Sequence, residues 1–325
     1  MFKKLTATLV GLFAVCNLSS CRKSTEEFQS SPSQYPIPIT ATTGMIADVV
    51  RQLGGEQVDV TGLIGEGTDP HLYKPTRSDL ISLKEADLVF YNGLKLEGKM
   101  EDSLEKLSQS KNVVAVTEEL AKNTDYLLSE EDHYDPHVWM DVQGWIKVVN
   151  TISEALISFD SENTSSYQEN TASYLEKLNA LDSYAKKSLA TVPKNQRVLV
   201  TAHDAFGYLG KAYQVEVKGI QGISTESEAG VKDIENLVNF LVEKKIPSVF
   251  VETSVSDQNI KALLEGTKAK GHQVTIGGEL FSDAMGASGT YEGTYIGMID
   301  HNVTTIARAL GGEAPSDGFQ GKLSE

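Results

Sequence analysis

Short apolar runs alternate with helical periods along most of the chain. Between the runs, apolar positions three and four residues apart predict helices, and the first of these helices ends at the glycine pair 54–55. Such alternation is typical of a parallel sheet, because each parallel connection needs a crossover, usually a helix. The apolar runs that predict the first strands lie at residues 39–43, 58–64, 87–91 and 113–116.

A long helix is predicted in the middle of the chain. Residues 162–190 contain no glycine or proline, and apolar positions such as Tyr167, Tyr174 and Leu178 recur at helical spacing. A helix of that length spans about 43 Å, more than an ordinary domain helix. We therefore assign residues 162–192 to a helix that connects two lobes.

The strand and helix alternation restarts after this segment. A final helix with apolar positions from Tyr295 to Leu310 ends at another glycine pair, 311–312. The predicted fold is α/β, with two lobes, 37–161 and 193–325, each holding a parallel sheet flanked by helices. The strands predicted for the second lobe lie at residues 198–201, 215–218, 248–252 and 273–276.

The N-terminus has the pattern of a secretory signal. Lys3 and Lys4 precede a mostly apolar run over residues 5–15, which is too short to span a bilayer. The segment Leu18-Ser19-Ser20-Cys21 resembles a bacterial lipoprotein signal. We expect residues 1–20 to be the signal peptide, Cys21 to carry lipid, and residues 21–36 to be a flexible tether. The mature protein is then extracytoplasmic and anchored to the cell membrane.

Charge and cysteine content exclude several classes of function. The 325 residues carry a formal net charge of -16, which argues against a nucleic-acid partner. The two cysteines, Cys16 and Cys21, both lie in the N-terminal segment. The folded body therefore has no thiol for a cysteine-type zinc site, a disulfide scaffold or a cysteine nucleophile.

Histidines are the main candidate functional residues. Among only six in the chain, two share a tripeptide, Asp69-Pro70-His71 and Asp135-Pro136-His137. His203 directly follows a predicted strand, and Asp283 follows another strand and a glycine-rich turn. Ligands bind beyond the carboxyl ends of parallel strands. Three imidazoles and one carboxylate there form a plausible site for Zn²⁺ or another divalent transition metal.

Four segments, found in order at residues 67–73, 135–139, 201–208 and 277–286, carry a family resemblance. Together they resemble the zinc- and manganese-binding, TroA-like lipoproteins of bacterial ABC importers, over nearly all of residues 37–311. The resemblance implies two α/β lobes joined by a long helix, with the metal in the interlobe cleft. By motif position, it implies that the metal ligands are His71, His137, His203 and Asp283.

The resemblance also implies a function. The protein captures Zn²⁺ or Mn²⁺ as its transported ligand, without an organic cofactor, and delivers it to a membrane permease driven by an ATPase. We expect a monomer that is not an enzyme. Manganese-type members often carry Glu where this chain has His203, which favours zinc and leaves manganese open.

Other interpretations remain open at this point. A surface adhesin of the same family is one alternative. A zinc hydrolase is the less favoured one, because the chain contains no HExxH motif or nucleophile elbow. His133 lies among acidic residues, where a solvated surface position is favoured over weak metal capture. His272 and His301 are expected to be ordinary surface or hydrogen-bonded histidines.

Overall fold

The computed structural model describes residues 31–122, 126–130 and 133–323. The predicted signal peptide, the lipid site Cys21 and most of the tether lie outside the described residues. In the part of the chain that is described, no helix has the length and apolar character needed to cross a membrane.

The chain before the long helix (residues 31–163, here the N-terminal half) contains a sheet of four parallel strands. Their order across the sheet is β2-β1-β3-β4, with β1 in an interior position. The strands are β1 (Ile37–Ala41), β2 (Val58–Gly62), β3 (Leu88–Tyr91) and β4 (Asn112–Ala115). A short hairpin follows, formed by β5 (Ser129–Glu130) and β6 (His133–Tyr134). The helices are α1 (Gly44–Gly54), α2 (Arg77–Glu85), α3 (Glu101–Ser108), α4 (Glu118–Ala121) and α5 (Val142–Phe159).

The chain after the long helix (residues 191–323, the C-terminal half) contains two parallel strand pairs. One pair is β7 (Val198–His203) with β8 (Glu216–Gln221), and the other is β9 (Ser248–Glu252) with β10 (Thr275–Leu280). β7 also lies against β9, so the two pairs are neighbours. The helices are α7 (Gly207–Tyr213), α8 (Val231–Lys244), α9 (Gln258–Ala269) and α10 (Tyr295–Ala309).

The predicted long helix is confirmed as α6 (Thr164–Ala190), which has 27 residues. It begins two residues later than predicted, because Ser161–Asn163 forms a 3-10 turn before it. α6 contacts α1 and α5 of the N-terminal half and α10 of the C-terminal half. The predicted α/β fold, with parallel sheets and a long helix, is therefore correct.

Seven of the eight predicted strands differ from the observed ones by one to four residues at an end, and the differences in β7 and β10 lie next to candidate ligands. β7 continues to His203, because Thr201 and His203 still pair with β8. β10 begins and ends later than predicted, and the glycine pair 277–278 lies inside it instead of in a turn. A Cβ added to Gly277 would lie 2.8 Å from the Ala309 side chain, so glycine lets α10 approach this strand closely.

One hydrophobic core passes through both halves and α6. Buried hydrogen bonds also join the halves: the Trp139 Nε1 donates to the Ser282 carbonyl at 2.8 Å, and the Tyr295 hydroxyl donates to the Trp139 carbonyl at 2.8 Å. Trp139 lies two residues after His137, and Ser282 precedes Asp283. These contacts therefore bring the candidate ligands of the two halves together.

Candidate metal centre

The two Asp-Pro-His tripeptides fold into the same local turn. The Asp69 carboxylate accepts the His71 backbone N–H at 2.8 Å, and the Asp135 carboxylate accepts the His137 backbone N–H at 2.9 Å. Aspartate commonly bonds the backbone two residues ahead, and the intervening proline restricts the chain between them. Each copy of the tripeptide therefore fixes the backbone of its histidine.

The C-terminal half presents its candidate ligands at the carboxyl ends of its strands. His203 is the last residue of β7, and Glu252 is the last residue of the adjacent strand β9. The Glu252 carboxylate accepts the His203 backbone N–H at 2.9 Å. Asp283 follows the end of β10. These positions agree with the general placement of ligands in parallel α/β folds.

The structure brings all four sequence-predicted site residues together. One ligand atom from each of His71, His137, His203 and Asp283 lies within 4.8 Å of the others. The Nε2 atoms of His71 and His137 are 3.3 Å apart. The Asp283 carboxylate lies 3.3 Å from His137 Nε2, 3.2 Å from His203 Nε2 and 3.9 Å from His71 Nε2.

Three of these four separations match the distance between the ligand atoms of a small divalent cation. A tetrahedral ion with bonds of about 2.0–2.1 Å holds its ligand atoms about 3.3 Å apart. The four side chains are at most 3% exposed. Among the described residues, neither carboxylate oxygen of Asp283 nor His203 Nε2 has a hydrogen-bond partner, although all three atoms are buried. Buried polar atoms without partners are costly, and a bound cation would satisfy these three.

Two further carboxylates orient the imidazole rings. Asp135 lies 2.7 Å from His137 Nδ1, and Glu252 lies 2.5 Å from His203 Nδ1. Each contact leaves Nε2 of that ring directed at the cluster, which is the usual arrangement around a histidine metal ligand. Sequence reasoning did not assign these roles. For Glu252, the available signal was a single acid ending a buried apolar strand.

The protonation of the cluster follows from burial and these carboxylates. Burial lowers the pKa of His71 to about 4. Burial also disfavours the charged form of His137, but Asp135 and Asp283 outweigh it and raise its pKa to about 9. Glu252 and Asp283 likewise raise the pKa of His203 well above its ordinary value, against burial. Burial acts to raise the pKa of Asp283, but His203 and His137 hold it well below its usual range.

A cleft of about 650 Å³ leads to this cluster and is lined by His71 and by residues of both halves, such as Lys99 and Glu226. His133 also lines it and is exposed, so it lies outside the buried group of four. His272 and His301 lie elsewhere, and their Nε2 atoms contact the backbone carbonyls of Ile246 and Glu279.

Comparison with known proteins places the chain in a family. The family model described as the periplasmic component A of the zinc-uptake complex matches residues 39–309. The manganese-binding lipoprotein MntA of Bacillus subtilis is 47% identical over 299 residues, covering 92% of this chain and 97% of the relative. The zinc-binding protein TroA of Treponema pallidum is 46% identical over 274 residues, covering 84% of this chain and 89% of the relative.

Solved structures agree with this placement. The periplasmic zinc-binding protein TroA from Treponema pallidum superimposes with a TM-score of 0.82 at 46% identity, covering 84% of this chain and 99% of that one. Three findings agree on the family. The family model matches most of the chain, the relatives are similar over most of their length, and the fold is shared. The chain belongs to the ZnuA family, the periplasmic component A of zinc-uptake complexes.

Proposed function

We propose that the protein is the substrate-binding component of a metal ABC importer and captures Zn²⁺ or Mn²⁺ outside the cytoplasmic membrane. The main evidence is the buried group of three imidazole nitrogens and one carboxylate, whose ligand atoms lie within 4.8 Å of one another. We assign His71, His137, His203 and Asp283 as the ligands of one ion. The names of two relatives, a manganese-binding lipoprotein and a zinc-binding protein, support the binding of a metal.

The donor set bears on the choice of metal. Zn²⁺ accepts three nitrogens and one oxygen in a tetrahedral site. Mn²⁺ fits the same set if Asp283 binds through both oxygens, both of which are buried and without a hydrogen-bond partner among the described residues. The proposal therefore includes either ion as substrate. Burial of all four ligands leaves little room for the open water position of a catalytic zinc site, which disfavours a hydrolase.

We also propose how the ion is delivered and how the protein is anchored. The loaded protein passes its ion to a membrane permease coupled to an ATPase, and lipid on Cys21 keeps the protein at the cell membrane. Relatives named as metal ABC transporter substrate-binding lipoproteins support both points. Changing Cys21 to Ala should abolish lipid labelling of the protein. Equal lipid incorporation in that variant would overturn the anchor assignment.

The transport proposal is tested by radiolabelled Zn²⁺ and Mn²⁺ uptake in cells that lack the gene. Wild-type protein should restore uptake, His203→Ala should fail to restore it, and His133→Ala should restore it. Full restoration by His203→Ala would contradict the proposal. An adhesion defect that added metal does not change, with uptake intact, would favour the adhesin interpretation instead.

A further inference from the structure

The three candidate histidine ligands share one backbone contact but differ in how their rings are held. Each histidine donates its backbone N–H to a carboxylate at 2.8–2.9 Å. In two of the three cases the same carboxylate also contacts the Nδ1 atom of the ring. The pairs are His71 with Asp69, His137 with Asp135, and His203 with Glu252.

His71 is the exception. Among the described residues, no hydrogen bond joins Asp69 to the His71 ring. One oxygen of Asp69 accepts the His71 backbone N–H, and the other accepts the Thr225 hydroxyl at 2.6 Å. Thr225 is 8% exposed and lies in the segment 222–227, which follows β8 in the C-terminal half. The Asp69 carboxylate, which contacts the His71 backbone, is therefore hydrogen-bonded to a residue of the C-terminal half, on the other side of the cleft.

The other two carboxylates act within their own halves. Asp135 and His137 both precede α6, and Glu252 and His203 both follow it. If the two halves move apart, these two ring contacts need not change. The contact between Thr225 and Asp69 must break, because its two residues belong to different halves. Of the four candidate ligands, His71 is the one that lines the cleft.

We propose that Thr225 is a positioning residue for His71, acting through Asp69. This inference rests on the proposed metal-binding function and adds to it an unequal role for the three histidines. The Thr225 hydroxyl holds Asp69, and Asp69 holds the backbone of His71 at the distance that completes the cluster. His71 is then the ligand whose position depends on cleft closure, and its loss begins metal release.

A neighbouring contact supplies a matched control. Lys99 Nζ lies 2.5 Å from Glu226 Oε1, so the residue after Thr225 also bridges the cleft. Both side chains of this pair are nearly half exposed, and exposed ion pairs contribute little to stability. Lys99→Gln removes this bridge without touching Asp69. Comparison of this variant with Thr225→Val separates an effect on cleft closure from an effect on the position of His71.

The test measures Zn²⁺ release to an excess of chelator by stopped flow in Thr225→Val, Thr225→Ser and Lys99→Gln. We expect Thr225→Val to speed release roughly 10-fold, the low end of effects for groups that orient a metal ligand. Thr225→Ser keeps the hydroxyl and should release at nearly the wild-type rate. Lys99→Gln should also remain near wild type. Equal acceleration in Lys99→Gln and Thr225→Val, or no acceleration in Thr225→Val, would overturn the inference.

A double-mutant cycle shows whether the effect passes through His71. Thr225→Val should weaken Zn²⁺ affinity in the wild-type and His203→Ala backgrounds but not further in His71→Ala. An equal loss in the His71→Ala background would assign Thr225 a merely structural role. Failure of the wild-type protein to bind Zn²⁺ would instead contradict the proposed function, so the two failures are distinguishable.

Discussion

Glu252 holds His203 at two points: it accepts the backbone N–H at 2.9 Å and contacts Nδ1 of the ring at 2.5 Å. The two residues end the neighbouring strands β7 and β9 and are 49 positions apart in the chain. This double contact fixes both the position of His203 and the direction of its Nε2 atom, which faces Asp283.

The Glu252 contact predicts a specific loss of metal affinity. Glu252→Gln removes the charge that stabilises the oriented ring, while an amide of nearly the same shape remains. Zn²⁺ affinity should fall by about 10–100-fold, as measured by competition with a fluorescent chelator. The exposed Glu265→Gln on α9 is the matched control and should bind as wild type. Unchanged affinity in Glu252→Gln would contradict the orienting role.

Gly207 leaves space for the carboxylate that orients His137. A Cβ added at this position would lie 2.9 Å from Asp135 Oδ2, closer than real Cβ contacts allow. Gly207→Ala should therefore displace Asp135 and weaken Zn²⁺ binding, roughly 10-fold by analogy with other orienting groups. Isothermal titration checks this. Gly65→Ala meets no atom within 4 Å and should bind normally. Equal affinities in the two variants would exclude this role for Gly207.

Sequence patterns predicted elements whose ends are set locally. The first helix was predicted to end at the glycine pair 54–55, and α1 ends at Gly54, with Gly55 at a positive φ of 55°. Asp141 likewise caps α5 locally, because its carboxylate accepts the Gln143 N–H. The ends of β10 were missed because its pairing with β9 determines them, including a shift of register between Ile276 and Gly278. The role of Glu252 was missed for the same reason, since it depends on β7 lying beside β9.

The pKa shifts predict proton release on metal binding. At pH 7 the metal-free cluster holds protons on His137, whose pKa is raised to about 9, and on His203, whose pKa is raised well above its ordinary value, whereas His71 is neutral. Imidazole must lose its proton to bind a metal. Binding should therefore release about two protons, and affinity should fall as the pH falls from about 9 to 6. Calorimetric titration in buffers of different ionisation enthalpy measures the number of protons. Release of none would contradict this protonation scheme.

Ligand chemistry predicts which of the two ions binds more tightly in solution. Nitrogen and oxygen donors bind Zn²⁺ more tightly than Mn²⁺ in the Irving–Williams order. Zn²⁺ should therefore displace Mn²⁺ from the purified protein at neutral pH, whichever ion the cell transports. A competition titration in which Mn²⁺ outcompetes equimolar Zn²⁺ would contradict the proposed coordination.

The proposed binding of a single ion by His71, His137, His203 and Asp283 can be observed by anomalous diffraction. The measurement is made at the zinc absorption edge, on crystals of the Zn²⁺-loaded protein. We expect one strong peak between the two halves, about 2.0–2.2 Å from the three Nε2 atoms and an Asp283 oxygen. A peak at His133, or no peak among these four side chains, would contradict it.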